Sequence, residues 1–317
     1  MLRKMTSVIL GAVIAAGSCV CTVSAAEPVF TETVEFNAGA VNSEWNGKTA
    51  MKSGSTYVVN KSVTISKKIT VPDGATLTVK KGGKLTVSAS GSLYINGRLT
   101  IANGASVVVN GKLYQYKGKK LNISGSLKLG KTSAVTLKGE TTVYVGGKIS
   151  GTPKTIAVSD TAAITLKGTN SCAKLTKAVD MRDLRVLYRN YYTKMLMDND
   201  SFSAYIDSYP SDYIEIVEDM LAEKEVTFAD FCEEMNEEIK KSQPAVKSVA
   251  VEITKYTDKT KNHSDKIKEL LSKGYGTVTK VAQLSLKVTA KPKSGSAVVE
   301  NVTAVAAYAD GRWYLVD

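Results

Sequence analysis

Leu85-Thr86-Val87-Ser88-Ala89-Ser90-Gly91-Ser92-Leu93-Tyr94-Ile95-Asn96-Gly97-Arg98-Leu99-Thr100-Ile101-Ala102-Asn103-Gly104-Ala105-Ser106-Val107-Val108-Val109-Asn110-Gly111 decides the architecture of the first half of this chain. It holds four apolar-x-apolar triplets, beginning at Leu85, Leu93, Leu99 and Val107, at steps of eight, six and eight residues. Side chains alternate along a strand, so the two apolar residues of a triplet share one face. Gly, Asn and Ser fill the intervals, as in Asn96-Gly97, Asn103-Gly104 and Asn110-Gly111, and such residues tolerate the backbone of tight turns.

The pattern extends in both directions. Upstream it includes Val63–Ile65, Ile69–Val71 and Leu77–Val79; downstream it runs through Leu121–Ile123, Leu127–Leu129, Val135–Leu137, Val143–Val145, Ile156–Val158 and Ile164–Leu166. Strands this short, joined by bends this regular, suit a coiled β-solenoid better than hairpins. One coil takes either two triplets, about 14 residues, or three, about 22. An antiparallel sandwich of short strands is the competing architecture.

Residues 57–170 resemble the Gly-rich β-helix segments of bacterial surface proteins and, loosely, pectate-lyase-like solenoids. The resemblance implies right-handed, three-sided coils around a continuous Leu/Val/Ile core. Catalysis on the solenoid has little to draw on. Glycoside hydrolysis uses two carboxylates, and a calcium site needs several oxygen ligands. Residues 48–176 contain three acids, Asp73, Glu140 and Asp160, each read as turn chemistry. Glu140 and Asp160 are the one pair that stacking could bring together.

Charge separates the two halves of the chain. The net charge is +12, yet residues 48–176 carry 20 Lys/Arg and sum to +17, whereas residues 177–317 sum to −3. Such asymmetry marks two domains of different surface chemistry. Lys67, Lys68, Lys80, Lys81, Lys84, Lys117, Lys119 and Lys120 fall in or beside turns. Stacked coils would align them within about one Debye length, ~8 Å, so that they act together. Lys80, Lys81, Lys84, Lys117, Lys119 and Lys120 are the candidate polyanion-binding residues. An anionic cell-wall polymer or glycan is the expected partner, and nucleic acid is not expected in an exported protein. The competing role for these lysines is to keep short strands soluble and unpaired at their edges.

Export is read from the N-terminus. Arg3 and Lys4 precede an apolar run, Val8 to Ala16, and then small residues ending in Val23-Ser24-Ala25-Ala26. This is the order of a cleaved signal peptide, residues 1–26, and it implies a secreted or cell-surface protein. Ala16-Gly17-Ser18-Cys19 resembles a lipobox with Ala in place of Leu, so lipid anchoring at Cys19 is the alternative. No later stretch is apolar enough to span a membrane. Cleavage leaves Cys172 and Cys232, and export permits a disulfide between them. No Cys/His cluster is present, so neither a metal site nor a cofactor is expected.

The pattern changes after Asn170. Met181, Leu184, Leu187, Tyr188, Tyr191 and Met195 follow helical spacing, with Asp180 as a cap. Pro210 suits the first turn of a second helix, and Thr227 with Asp230 makes a capping box for a third. A strand from Val246, a short helix over Ser264–Lys273 and three further strands follow. Asp310-Gly311 forms the last tight turn. Residues 178–317 resemble the NTF2-like fold in element order. The closing Asp310-Gly311-Arg312-Trp313-Tyr314-Leu315-Val316 resembles the ending of such domains in exported Gram-positive proteins. The resemblance implies a cone, and Tyr188, Tyr191, Tyr192 and Trp313 are the candidate pocket residues. His263, the one histidine, lies in a polar stretch and reads as an exposed loop residue rather than part of a triad.

The expected organisation is thus multi-domain: signal peptide 1–26, N-terminal cap 27–56, all-β right-handed solenoid 57–170, linker 171–177 and α+β NTF2-like domain 178–317. The expected function is non-enzymatic binding at a cell surface, with a small-ligand or partner-binding cone as one alternative and a polysaccharide-active enzyme as another. If the export reading holds, the intact mass of the secreted protein will correspond to a chain beginning at Ala26 or Glu27. A chain still beginning at Met1, or lipid on Cys19, contradicts it.

Overall fold

The computed structural model describes residues 43–242, 244–262 and 264–316, with Lys266 and Leu270 described by backbone alone. The signal-peptide segment with Cys19, most of the cap segment and His263 lie outside the described residues. The chain divides into two compact units, with the division between Arg182 and Asp183.

The first unit is a β-solenoid of about five turns with three parallel sheets. Sheet A collects Ser43–Glu44, Thr56–Val59, Thr76–Val79, Arg98–Ile101, Lys120–Ile123, Glu140–Val143 and Ala163–Leu166. Sheet B collects Ser62–Ile65, Lys84–Val87, Ser106–Val109, Ser126–Leu129, Lys148–Gly151 and Thr169–Asn170. Sheet C collects Lys68–Val71, Ser92–Ile95, Lys112–Gln115, Ala134–Leu137 and Thr155–Val158. Thr76 is in register with Arg98 and Arg98 with Lys120, so one coil is the segment 76–97 and the next is 98–119. On sheet C the step from Lys68 to Ser92 is slightly longer than this and the step from Ser92 to Lys112 slightly shorter. The three-triplet coil is therefore the one adopted, and the sandwich is not.

Nearly every strand turns its second and fourth residues to the core. Leu77, Val79, Leu99, Ile101, Leu121 and Ile123 are fully buried, one above another. Burying each such side chain is worth roughly 1.5–3 kcal/mol relative to leaving it in water. Gln115 is the polar exception among the inward positions of sheet C, and it is fully satisfied. Its amide donates to the carbonyls of Lys119 at 2.8 Å and Glu140 at 2.7 Å, and it accepts from Thr141 Oγ1 at 3.1 Å and Gly139 N at 3.3 Å. A buried amide bonded on all sides pins two coils at that corner instead of weakening them.

The corners need glycine for closeness as well as for turning. A Cβ at Gly111 would run into the carbonyl oxygens of Gly91 and Ser88 in the coil below. Gly118, in contrast, faces open space with φ +70°. One glycine permits backbone approach; the other permits a left-handed turn.

Both ends of the solenoid differ from expectation. Trp45 and Met51 are buried in its core and Ser43–Glu44 pairs in parallel with Tyr57 and Val58, so the cap segment supplies part of the first coil. The expected linker 171–177 is instead the start of a helix, Ala173–Thr193. Cys172 and Leu175 are buried in the solenoid core, and Lys174 Nζ donates to the carbonyls of Pro153 and Lys154 at 2.9 and 3.0 Å. The open apolar end of the last coil requires a lid, and this helix provides it. Asp180, expected as a helix cap, therefore lies inside the helix and is buried.

The second unit consists of helices and a four-stranded antiparallel sheet. The helices are the rest of Ala173–Thr193 with its π-helical extension Lys194–Asp198, then Ser201–Ser208, Ser211–Ala222, Phe228–Ser242 and Asp265–Ser272. The strands Val246–Asp258, Val278–Pro292, Val298–Ala309 and Arg312–Val316 pair in chain order. Several local expectations are met. Thr227 and Asp230 cap each other reciprocally at 3.1 and 3.3 Å, and Asp310-Gly311 turns with φ 50° and 84°; Pro210, expected in the first turn, instead sits at the N-cap of the helix Ser211–Ala222 with an extended backbone.

Substituting Gly111→Ala should lower unfolding stability by about 1–3 kcal/mol, the usual cost of overpacking. Gly118→Asn, in open space and at a φ that asparagine tolerates, should cost well under that. Denaturant melts of the two variants compare them directly, and equal losses would contradict the close-approach argument.

Candidate functional site

The alternation that fills the solenoid core also lines up its outward residues. On sheet C, register pairing sets Thr70, Tyr94, Tyr114 and Thr136 in one row across four consecutive coils. Tyr94 and Tyr114 are half-buried, and Tyr116, just after its strand, is 39% exposed. The three rings form a cluster on the solvent side. Ring centroids lie 5.6 Å apart for Tyr94 and Tyr114, 4.9 Å for Tyr114 and Tyr116, and 6.4 Å for Tyr94 and Tyr116.

Three lysines surround the cluster. Lys68 Nζ is 4.9 Å from the Tyr94 centroid, and Lys138 Nζ is 5.2 Å from that of Tyr114. Lys112 Nζ reaches both rings, at 5.3 and 5.6 Å. These are cation–π distances, so the ring faces help to hold the ammonium groups in place. Sheet C strands contain no Asp or Glu, and no carboxylate of the described residues pairs with Lys68, Lys112 or Lys138. The face therefore offers positive charge that no carboxylate of the described residues neutralises, beside aromatic surface.

The six lysines predicted as the polyanion site are distributed differently. Lys80, Lys81 and Lys84 lie at the corner between sheets A and B. Lys117, Lys119 and Lys120 lie at the corner between sheets C and A. The fold does not gather them on one face. Lys119 pairs with Asp73, whose carboxyl that hydrogen bond holds below the usual carboxylate range, and Lys120 pairs with Glu140 at 3.3 Å. Two of the three acids of residues 48–176 are thus engaged with two of the six lysines. Of the lysines on the aromatic face, sequence reading flagged Lys68 as a turn residue but missed Lys112, Lys138 and the tyrosines. The available signal was the Tyr-x-Tyr of 114–116 lying one coil above Tyr94, but it becomes visible only once the coil length is known.

Tyr188, Tyr191, Tyr192 and Trp313 do not line an open pocket. All four are buried in the core of the second unit. Tyr188 donates to the Val305 carbonyl at 2.9 Å, and Tyr191 packs edge-on against Tyr192 and Tyr205. Tyr205, Tyr209 and Tyr213 continue as a stack at 5.3 Å steps. One cleft of about 40 Å³ is lined by Leu196, Val246, Val288 and Val298 among others, and another of about 270 Å³ by Thr260, Lys268 and Leu271 among others. Neither includes any of the four residues. No group of three or more His, Cys, Asp and Glu among the described residues could hold a metal ion, and no described helix is long and apolar enough to cross a membrane.

No disulfide joins Cys172 and Cys232: both are free and buried, one in the solenoid core and one in the core of the second unit. Burial pushes the Cys232 thiol up to about 12. No family model, curated protein or solved structure matches the chain.

Both thiols should resist a thiol reagent in the native protein at neutral pH and react fully in denaturant without reductant, because both are buried out of reach of the reagent. Peptide mass mapping after labelling reads each cysteine separately. A thiol that stays unlabelled in denaturant until reductant is added would reveal a disulfide.

Proposed function

We propose that this chain is an exported, non-enzymatic binding protein whose solenoid holds an anionic polymer of the cell surface. The observation that carries the reading is the outer face of sheet C, where Lys68, Lys112 and Lys138 stand around three solvent-side tyrosines without a carboxylate partner among the described residues. Unpaired ammonium groups on a flat, repetitive surface suit a ligand that is itself extended and repetitive. The engagement of Asp73 and Glu140 with lysines favours binding over carboxylate catalysis. In the same reading the coils are right-handed, as parallel crossovers nearly always are, and the second unit is an NTF2-like domain with a filled core. The signal-peptide order of the segment 1–26 supports export.

The test is titration of the full chain with teichoic acid at low and at physiological salt. Binding should weaken as salt rises. The triple change Lys68→Gln, Lys112→Gln and Lys138→Gln should lower affinity roughly tenfold, taking ~0.5 kcal/mol for each exposed charge contact. Lys119→Gln with Lys120→Gln should change it much less, because each already has a carboxylate partner. Absence of binding to both teichoic acid and alginate at low salt by the folded protein overturns the reading.

A further inference from the structure

Charge alone does not account for the outer face of sheet C. A site for a flexible polyanion needs lysines at intervals, and the corners of the solenoid already provide them. The face adds three tyrosine rings with centroids within 6.4 Å of one another, on the solvent side of consecutive coils. Polyphosphate chains have no apolar surface for such rings to cover. A pyranose does: the C–H groups of one ring face carry slight positive charge and lie against the negative face of an aromatic ring.

The remaining groups fit the same ligand. Thr70 and Thr136 stand in the row on either side of Tyr94 and Tyr114, so hydroxyl groups flank the aromatic pair along the solenoid axis. The Lys68, Lys112 and Lys138 ammonium groups lie over these same rings, 4.9–5.6 Å from the centroids, so a stacking sugar displaces them from the ring faces to its rim, where its carboxylates meet them. Neutral sugar would leave this charge unused, and a phosphate chain would leave the rings unused. We infer that the face formed by Tyr94, Tyr114, Tyr116, Lys68, Lys112 and Lys138 binds a carboxylate-bearing polysaccharide, its sugar rings on the tyrosines and its carboxylates on the lysines, running along the solenoid axis. This rests on the polyanion reading above and adds the chemical class of the polymer.

The experiment measures affinity of the full chain for four probes at physiological salt: alginate, inorganic polyphosphate, dextran and oligo-dT. Alginate should bind most tightly. Tyr94→Leu with Tyr114→Leu should weaken alginate binding about tenfold, the scale of one lost aromatic stack, and change polyphosphate binding less than about twofold. Tyr94→Phe with Tyr114→Phe should keep alginate binding near the parent value, which separates loss of the ring from loss of fold, and an unchanged melting temperature confirms it. If the leucine variant binds alginate like the parent while the lysine-to-glutamine variant does not, stacking is refuted and the polyanion reading stands. Dextran binding as tight as alginate, or oligo-dT binding tighter, overturns the inference. If none of the probes binds even at low salt, the polyanion reading itself fails.

Discussion

Everything in the solenoid follows from one constraint: each coil must hydrogen-bond in parallel to the coil beneath it. Backbone donors and acceptors are obligatory, and so short a strand cannot satisfy them alone. Stacking Arg98–Ile101 on Thr76–Val79, and Lys120–Ile123 in turn on Arg98–Ile101, closes the ladder from coil to coil. Once the ladder closes, every position in a coil becomes part of a column. Inward columns become a continuous apolar core. Corner columns become glycine wherever one backbone must approach the next. Outward columns become surfaces whose chemistry repeats from coil to coil, and the row Thr70, Tyr94, Tyr114 and Thr136 is one of these.

The same geometry sorts the positive charge. Twenty basic residues against three acids in residues 48–176 make strong self-repulsion along a rod, and the fold places Asp73 and Glu140 at a corner between sheets. Glu140 stacks directly above Lys120 and pairs with it, and Asp73 reaches Lys119 two coils away in sequence. These pairs are exposed and contribute little to stability, but they cancel charge at one corner and leave the sheet C lysines uncancelled. Distribution, rather than total charge, is what separates a candidate binding face from a merely soluble surface.

In the second unit tyrosine has the opposite role. Tyr205, Tyr209, Tyr213 and Tyr275 form a chain of rings that ends with the Tyr275 hydroxyl donating to the Leu315 carbonyl at 2.6 Å. Large rings fill the space between helices and sheet, and the Tyr188 hydroxyl reaches a backbone acceptor in the same way, at the Val305 carbonyl. The residues that suggested a pocket are the residues that close it. Thus the same amino acid marks a buried core in one unit and a solvent-side surface in the other, and composition alone could not tell the two apart.

What the sequence determined by itself was local and periodic. Triplets such as Leu93–Ile95 announced the strands, the spacing admitted a three-triplet coil, Thr227 and Asp230 announced a helix start, and Asp310-Gly311 a hairpin turn. These signals depend on neighbours close along the chain, so they can be read from it directly. The tertiary structure decided what depends on distant pairs: that three triplets rather than two make one coil, that Cys172 and Leu175 close the end of the solenoid instead of linking two domains, and that Cys172 and Cys232 lie in different cores. It also decided the candidate site. Tyr94 and Tyr114 are a whole coil apart in the chain and become neighbours only because parallel register sets one strand on the next. An irregular repeat hides that register, since any corner that gains or loses a residue shifts every later pairing, and only the closed hydrogen-bond ladder says which rows form.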